Sequence, residues 1–179
     1  PETGFALGVR VWVDGKRAAG ALVTKKSSQG SGAPSSARVD SLGTARVKGL
    51  RKESYWLEVT TPQLGWTYSQ RVQVTADADL PLDLRTVPLA ATVRDARTNA
   101  PIPGAIVRAT PLLGSDDHIR LTPQVFRCGA DGRTSDARLL RAAYYVEAEA
   151  AGYEPATTLV NLTSPTPTVV TLSLDRSRE

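Results

Sequence analysis

Tyr55-Trp56-Leu57-Glu58-Val59-Thr60 alternates along its length with a period of two, and Tyr144-Tyr145-Val146-Glu147-Ala148-Glu149 repeats the pattern further along the chain. An extended chain sends alternate side chains to opposite faces, so Tyr55, Leu57 and Val59 share one face, as do Tyr144, Val146 and Ala148. The duplication continues outward from these stretches. Gly20-Ala21-Leu22-Val23 returns as Gly104-Ala105-Ile106-Val107, Gly43-Thr44-Ala45 as Gly132-Arg133-Thr134, and Leu50 as Leu139. Leu64-Gly65-Trp66 is echoed by Ala151-Gly152-Tyr153. Order is kept while spacing drifts slightly, as expected of two homologous domains whose length changes fall in loops.

The same period of two runs through Val9, Val11 and Val13, interleaved with Arg10 and Trp12. It closes each copy with Leu80, Leu82 and Leu84, and with Val170, Leu172 and Leu174. No stretch sustains helical spacing. Turn signals at Asp14-Gly15, Pro103-Gly104 and Asp131-Gly132 separate the strands; Asp and Gly both tolerate the left-handed region that a tight hairpin demands. About seven short strands per copy predict an all-β chain of two tandem seven-stranded immunoglobulin-like β-sandwiches. The first is expected over 1–87 and the second over 88–179, meeting near Val87-Pro88. Two long loops are expected: the Gly/Ser-rich residues 27–36, which should be mobile, and residues 113–118, Leu113-Gly114-Ser115-Asp116-Asp117-His118.

In the second copy the motif residues are Val93-Arg94-Asp95, Pro101-Ile102-Pro103-Gly104-Ala105-Ile106-Val107, Ala130-Asp131-Gly132-Arg133-Thr134, Leu139, Tyr144-Tyr145-Val146 and Ala151-Gly152-Tyr153. Their order resembles the carboxypeptidase regulatory-like domains, relatives of transthyretin and of Cna-B type surface modules. The first copy keeps a weaker form of the skeleton. The resemblance implies a transthyretin-like sandwich from exported proteins, periplasmic or cell-surface, that serves as a non-catalytic appendage. It implies no active site and no cofactor. Such domains space other domains, aid folding, or bind proteins and glycans, and fold alone does not choose among these.

Composition narrows the classes. With 41% hydrophobic and 22% charged residues among 179, the chain reads as globular. Apolar runs stop far short of the roughly 20 residues a spanning helix needs. A single cysteine, Cys128, excludes an internal disulfide framework and a cysteine-based zinc cluster, and its expected role is that of a small buried apolar residue. His118 alone would have to supply any Ser-His-Asp relay, and no nucleophile elbow accompanies it. No catalytic and no metal site is expected. Asp77, Asp79 and Asp83 lack the spacing of a calcium loop and read as strand-edge solubility; Asp116-Asp117-His118 reads the same way. Asn161-Leu162-Thr163 matches a sequon that matters only in a eukaryotic secretory route. A ratio of 17 Arg to 5 Lys points to a GC-rich bacterial genome. The chain starts at Pro1 without a leader pattern and is expected to be part of a longer protein.

Charge is uneven. Residues 1–88 hold 12 Lys and Arg against 8 Asp and Glu, whereas 89–179 balance at 10 against 10. Between Arg10 and Lys52 the only acids are Asp14 and Asp40. Trp12 and Trp56 fall out of phase with their apolar neighbours and should leave the core, where an uncovered indole is costly unless a domain or partner meets it. Trp12, Trp56, Lys25, Lys26 and Arg10 are therefore the candidate binding residues. The leading expectation is a tandem module of a larger exported bacterial protein, acting in protein interaction or as a spacer within a surface assembly. An alternative is binding of an acidic glycan or anionic polymer through the outward aromatics and the basic first domain. A further alternative is a regulatory appendage of a peptidase or outer-membrane transporter. Nucleic acid is disfavoured, since no recognition helix or RNA-binding signature accompanies the charge.

Overall fold

A computed structural model describes residues 4–30, 32–62, 64–112 and 118–178, all strand, turn and irregular backbone with no helix among the described residues. The chain forms two compact units, Pro1–Arg85 with Gly114–Leu121, and Thr86–Leu113 with Thr122–Glu179.

The first unit contains β1 (Phe5–Val13), β2 (Lys16–Arg17), β3 (Leu22–Ser27), β4 (Ser35–Arg38), β5 (Thr44–Leu50), β6 (Ser54–Thr60), β7 (Thr67–Gln73) and β8 (Ala78–Leu84). In one sheet, β1 pairs antiparallel with β2 and β5 and parallel with β8. The other sheet follows the order β11-β7-β6-β3-β4. Its strand β11 (Ile119–Leu121) pairs antiparallel with β7. A single cut between residues 87 and 88 would assign β11 to the second domain, yet it completes the sheet of the first unit. Period two sets the core: Leu7, Val9 and Val11 of β1, Ala45 and Val47 of β5, Val23 of β3, and Tyr55, Leu57 and Val59 of β6 are all buried. Register brings them together, with Val23 opposite Val59 and Val59 opposite Tyr68.

The second unit repeats this order. Its strands are β9 (Thr86–Asp95), β10 (Ile106–Leu112), β12 (Gln124–Arg127), β13 (Ala137–Leu140), β14 (Ala143–Glu149), β15 (Ala156–Asn161) and β16 (Thr168–Leu174). One sheet reads β13-β9-β16 with β9 and β16 parallel, and the other β12-β10-β14-β15. Val87, Leu89, Val93, Val107, Tyr144, Val146, Leu139, Leu172 and Leu174 fill its core.

Two local devices recur. Tyr55 and Tyr144 are buried at equivalent places, and each hydroxyl bonds the backbone four residues upstream. The Tyr55 oxygen accepts from the Arg51 N–H at 2.8 Å, and the Tyr144 hydroxyl donates to the Leu140 carbonyl at 2.7 Å. Burial pushes the Tyr144 phenol well up from its ordinary value, so it remains a donor at physiological pH. The turns differ more. Asp14 and Gly15 both have positive φ, 50° and 78°, as the β1–β2 hairpin requires. At Asp131-Gly132 only Gly132 enters the left-handed region, with φ 70°. Asp131 instead keeps an ordinary backbone and uses its carboxylate, which accepts from the Arg133 N–H at 3.0 Å. Gly132 has a second reason to be glycine: a Cβ there would lie 2.6 Å from the Val93 carbonyl oxygen.

The 27–36 loop is shorter than its composition implied, because Ser35 and Ser36 pair with Lys25 and Thr24. Most of the 113–118 loop lies outside the described residues.

Substituting Gly132→Ala should destabilise the second unit by about 1–3 kcal/mol, the cost of a left-handed side chain forced against backbone. Denaturant melts check this; an unchanged midpoint would show that the turn relaxes freely.

Candidate interaction surfaces

The five candidate binding residues fall on three separate surfaces. Arg10 and Trp12 lie on the outer face of the β1 sheet, out of phase with buried Val9 and Val11. They line a shallow cleft of about 350 Å³ with Pro81, Asp83 and Arg85. Asp83 is already paired with Arg85 at 2.8 Å. Trp12 is covered from within its own unit: the Arg17 guanidinium stands 5.8 Å from the ring centroid, and Gly43 is close enough that a Cβ there would meet Nε1 at 3.5 Å. Its buried indole N–H finds no protein acceptor among the described residues, a burial cost of about 1–3 kcal/mol.

Lys26 and Trp56 form the second surface, the outer face of the β6 sheet. Lys26 is the direct cross-strand partner of Trp56, and Arg71 sits opposite Trp56 on the other side. Lys26 Nζ reaches Glu58 Oε2 at 2.7 Å, a half-exposed ion pair of the kind worth about 0–1 kcal/mol. Above the indole lies the guanidinium of Arg120, 4.2 Å from the ring centroid. The out-of-phase indole of Trp56 is thus met by a cation from β11, a strand whose pairing partner no local pattern could name.

Lys25 belongs to neither face. Consecutive strand residues point oppositely, so Lys25 lies on the inner side across from Leu57. There its ammonium donates to the Gly49 carbonyl at 3.5 Å and stands 5.9 Å from the Tyr55 ring, lining a cleft of about 360 Å³ with Arg51 and Glu53. A joint basic patch of Lys25 and Lys26 does not exist.

The remaining candidates have structural partners. Asp77 Oδ1 accepts from the Ala6 N–H at 2.7 Å, and Asp79 lies against Gly8. No group of three or more potential metal ligands occurs among the described residues. The His118 carbonyl accepts from the Arg71 N–H at 2.7 Å, while Asp116 and Asp117 lie outside the described residues. Cys128 is buried, and burial followed by the Asp131 charge pushes its thiol up, away from thiolate chemistry.

Sequence reasoning missed the most tightly held charge. Asp95, at the end of β9, is 3% exposed. Its Oδ1 accepts from the Arg97 and Thr98 N–H groups at 2.9 and 3.0 Å, and its Oδ2 from the Tyr153 hydroxyl and Arg176 Nε, both at 3.0 Å. The Thr98 N–H and then Arg176 hold the carboxyl well below the usual range. One clue was available: Asp95 and Tyr153 both sit in the motif string, which by itself does not say that they meet.

No protein-family model matches the sequence, and no curated protein matches it. Solved structures resemble it to differing degrees. The minor pilin GBS52 of Streptococcus agalactiae aligns over 98% of this chain and 97% of its own, with TM-score 0.53 and 12% identity. The shaft pilin SpaA of Lactobacillus rhamnosus GG aligns over 99% of both chains with TM-score 0.43 and 13% identity. The TIE protein of Bacillus anthracis gives TM-score 0.40 and 13% identity over 97% of this chain, which spans 34% of that protein. At such identity the likeness to the minor pilin is one of fold, an all-β sandwich. It does not reach the carboxypeptidase regulatory-like family.

A carboxyl with a lowered folded pKa contributes stability above its unfolded value of about 4 and loses it as pH falls from there toward the folded value. Asp95→Asn should therefore lower stability at pH 7 and flatten the acid limb below about pH 4. Denaturant melts at neutral and acid pH check this; a variant as stable as wild type at pH 7 would show the cluster to be neutral.

Proposed function

We propose that this chain is a non-catalytic, load-bearing module of an exported surface protein, built as two tandem sandwiches of the transthyretin and Cna-B type. Among the described residues the second has the expected seven strands and the first has nine, since β2 and β11 are added to it. The observation that carries this reading is the parallel pairing of the first and last full strands in each unit. β1 and β8 pair in parallel from Leu7 opposite Ala78 to Val13 opposite Leu84, and β9 and β16 from Leu89 opposite Thr168 to Asp95 opposite Leu174. Parallel neighbours run the same way, so the chain enters a unit at one end of the ladder and leaves at the other. Tension along the chain then shears the ladder and loads its evenly spaced hydrogen bonds together. Only Arg85 separates β8 from β9, so tension passes directly from one ladder to the next. The fold likeness to a minor pilin supports a place in a surface assembly, and no helix among the described residues is long and apolar enough to cross a membrane.

The glycan alternative has weaker support, since its five residues divide among three surfaces and Arg120 already occupies the ring of Trp56. Nothing on these surfaces favours the peptidase or transporter appendage.

Single-molecule pulling on the full chain tests the reading within the first unit. Handles at Ala6→Cys and Arg85→Cys load the β1–β8 ladder in shear; handles at Ala6→Cys and Ala78→Cys peel the same ladder one bond at a time. Unfolding force should be markedly higher in the first geometry. Equal forces in the two would overturn the load-bearing role.

A further inference from the structure

The two units treat equivalent sheet edges differently. In the first, β7 carries β11 along its outer side: Arg120 lies opposite Ser69, the Arg71 N–H donates to the His118 carbonyl at 2.7 Å, and the Arg120 guanidinium covers Trp56. In the second, Tyr145 occupies the place of Trp56, Glu147 that of Glu58, and β15 that of β7. The registers correspond, with Trp56 opposite Arg71 and Tyr145 opposite Leu159, then Glu58 opposite Ser69 and Glu147 opposite Thr157. Yet β15 ends its sheet, and no strand among the described residues pairs with its far side.

That unpaired edge lacks the usual protection. Exposed edge strands carry Lys, Pro or inward charges that block pairing with other chains. The stretch Ala156-Thr157-Thr158-Leu159-Val160-Asn161 has no charge and no proline. The adjoining face mixes apolar and charged groups: Arg108 stands opposite Glu147, Tyr145 is 48% exposed and Leu159 59%, and Leu112 and Val125 lie on the same face through their pairings with Ala143 and Arg108. These are four of the six exposed large hydrophobics among the described residues. Concentration on one face marks an interaction surface.

We propose that β15 and the outer face of β14 form a docking site for an extended strand of another protein that carries a basic residue between two apolar ones. The strand adds to the sheet edge by backbone hydrogen bonds, as in β-augmentation. Equivalence with Ser69 and Arg71 turns the N–H groups of Thr157 and Leu159 outward to receive it. The basic side chain lies over the ring of Tyr145, as Arg120 lies over that of Trp56, and the negative face of the ring selects a cation there. The pattern is the one this chain itself uses at Ile119-Arg120-Leu121. The inference rests on the reading of the chain as part of a surface assembly, and it names where a partner would bind.

The test is a ¹⁵N-NMR titration of the full chain with a synthetic peptide reproducing residues 118–124, and with the same peptide carrying Arg120→Glu. Shifts should concentrate at the Thr157 and Leu159 amides and at Tyr145, and the Arg120→Glu peptide should bind about tenfold more weakly. Thr157→Pro, tolerated at an edge strand, removes an outward N–H and should abolish binding; Leu159→Lys serves as the second variant if the first fails to fold. The proposal is overturned by absent shifts at about 1 mM peptide, by equal binding of both peptides, by binding that survives both variants, or by self-association of the free chain through β15, which would make a second copy the occupant. The pulling experiment loads only the β1–β8 ladder, so failure here and failure of the load-bearing reading are separable.

Discussion

The parallel ladder between the first and last full strands is the constraint on which each unit depends. A parallel pair cannot be joined by a hairpin, so β1 meets β8 only after the intervening chain has formed the second layer and returned. The same holds for β9 and β16. Its contacts are the most distant in sequence that a unit makes, and their loop-closure cost is met only by burial of the whole core. Core alternation in β1 and β9 follows: a strand paired on both sides, with one face on the core, must present Val9, Val11 and Val93 inward without interruption. What remains variable is the outer face and the strand ends.

At those strand ends the two units diverge. Register makes Val13 the counterpart of Asp95, since these residues lie opposite Leu84 and Leu174 at the close of the two ladders. In the first unit a half-buried valine and a left-handed Asp14-Gly15 turn finish the strand. In the second a buried carboxylate gathers two backbone N–H groups, a tyrosine and an arginine. A buried charge is tolerated because every lone-pair direction is met, and removing one partner would leave it uncompensated. The cluster ties the β9 terminus to the tail that follows β16, so the end of the parallel ladder is pinned by charge-assisted bonds as well as by its own hydrogen bonds.

Much of this architecture was legible in local pattern. Period two marked Tyr55, Leu57 and Val59 and their counterparts as core, because a strand with one buried face leaves that signature in any sequence. The duplicated motif order located equivalent strands without knowledge of their pairing. Pairing between distant segments leaves no such trace. Nothing in Ile119-Arg120-Leu121 announces that it joins the edge of β7, and so the cover over Trp56 could not be anticipated. Lys25 and Lys26 are both candidates for a binding surface by their charge, yet the alternation that identifies the core places them on opposite faces. Asp95 was visible only as a motif letter, because its burial depends on Tyr153 and Arg176, which approach through the fold.

The contrast between β7 and β15 follows from the same reasoning about edges. A sheet edge with outward N–H groups invites pairing, and a chain that carries two copies of one sheet faces the problem twice. In the first unit the edge carries Arg71 and an intramolecular strand, and its large aromatic lies beneath a guanidinium. In the second the edge is neutral and β-branched, and the aromatic at the equivalent place is half exposed. If edges were protected only against aggregation, both copies would be expected to carry a charge or a cover. Leaving one neutral edge open is a liability unless something else covers it. The half-exposed ring of Tyr145 favours a basic cover, matching the Arg120 that lies over Trp56 in the other copy.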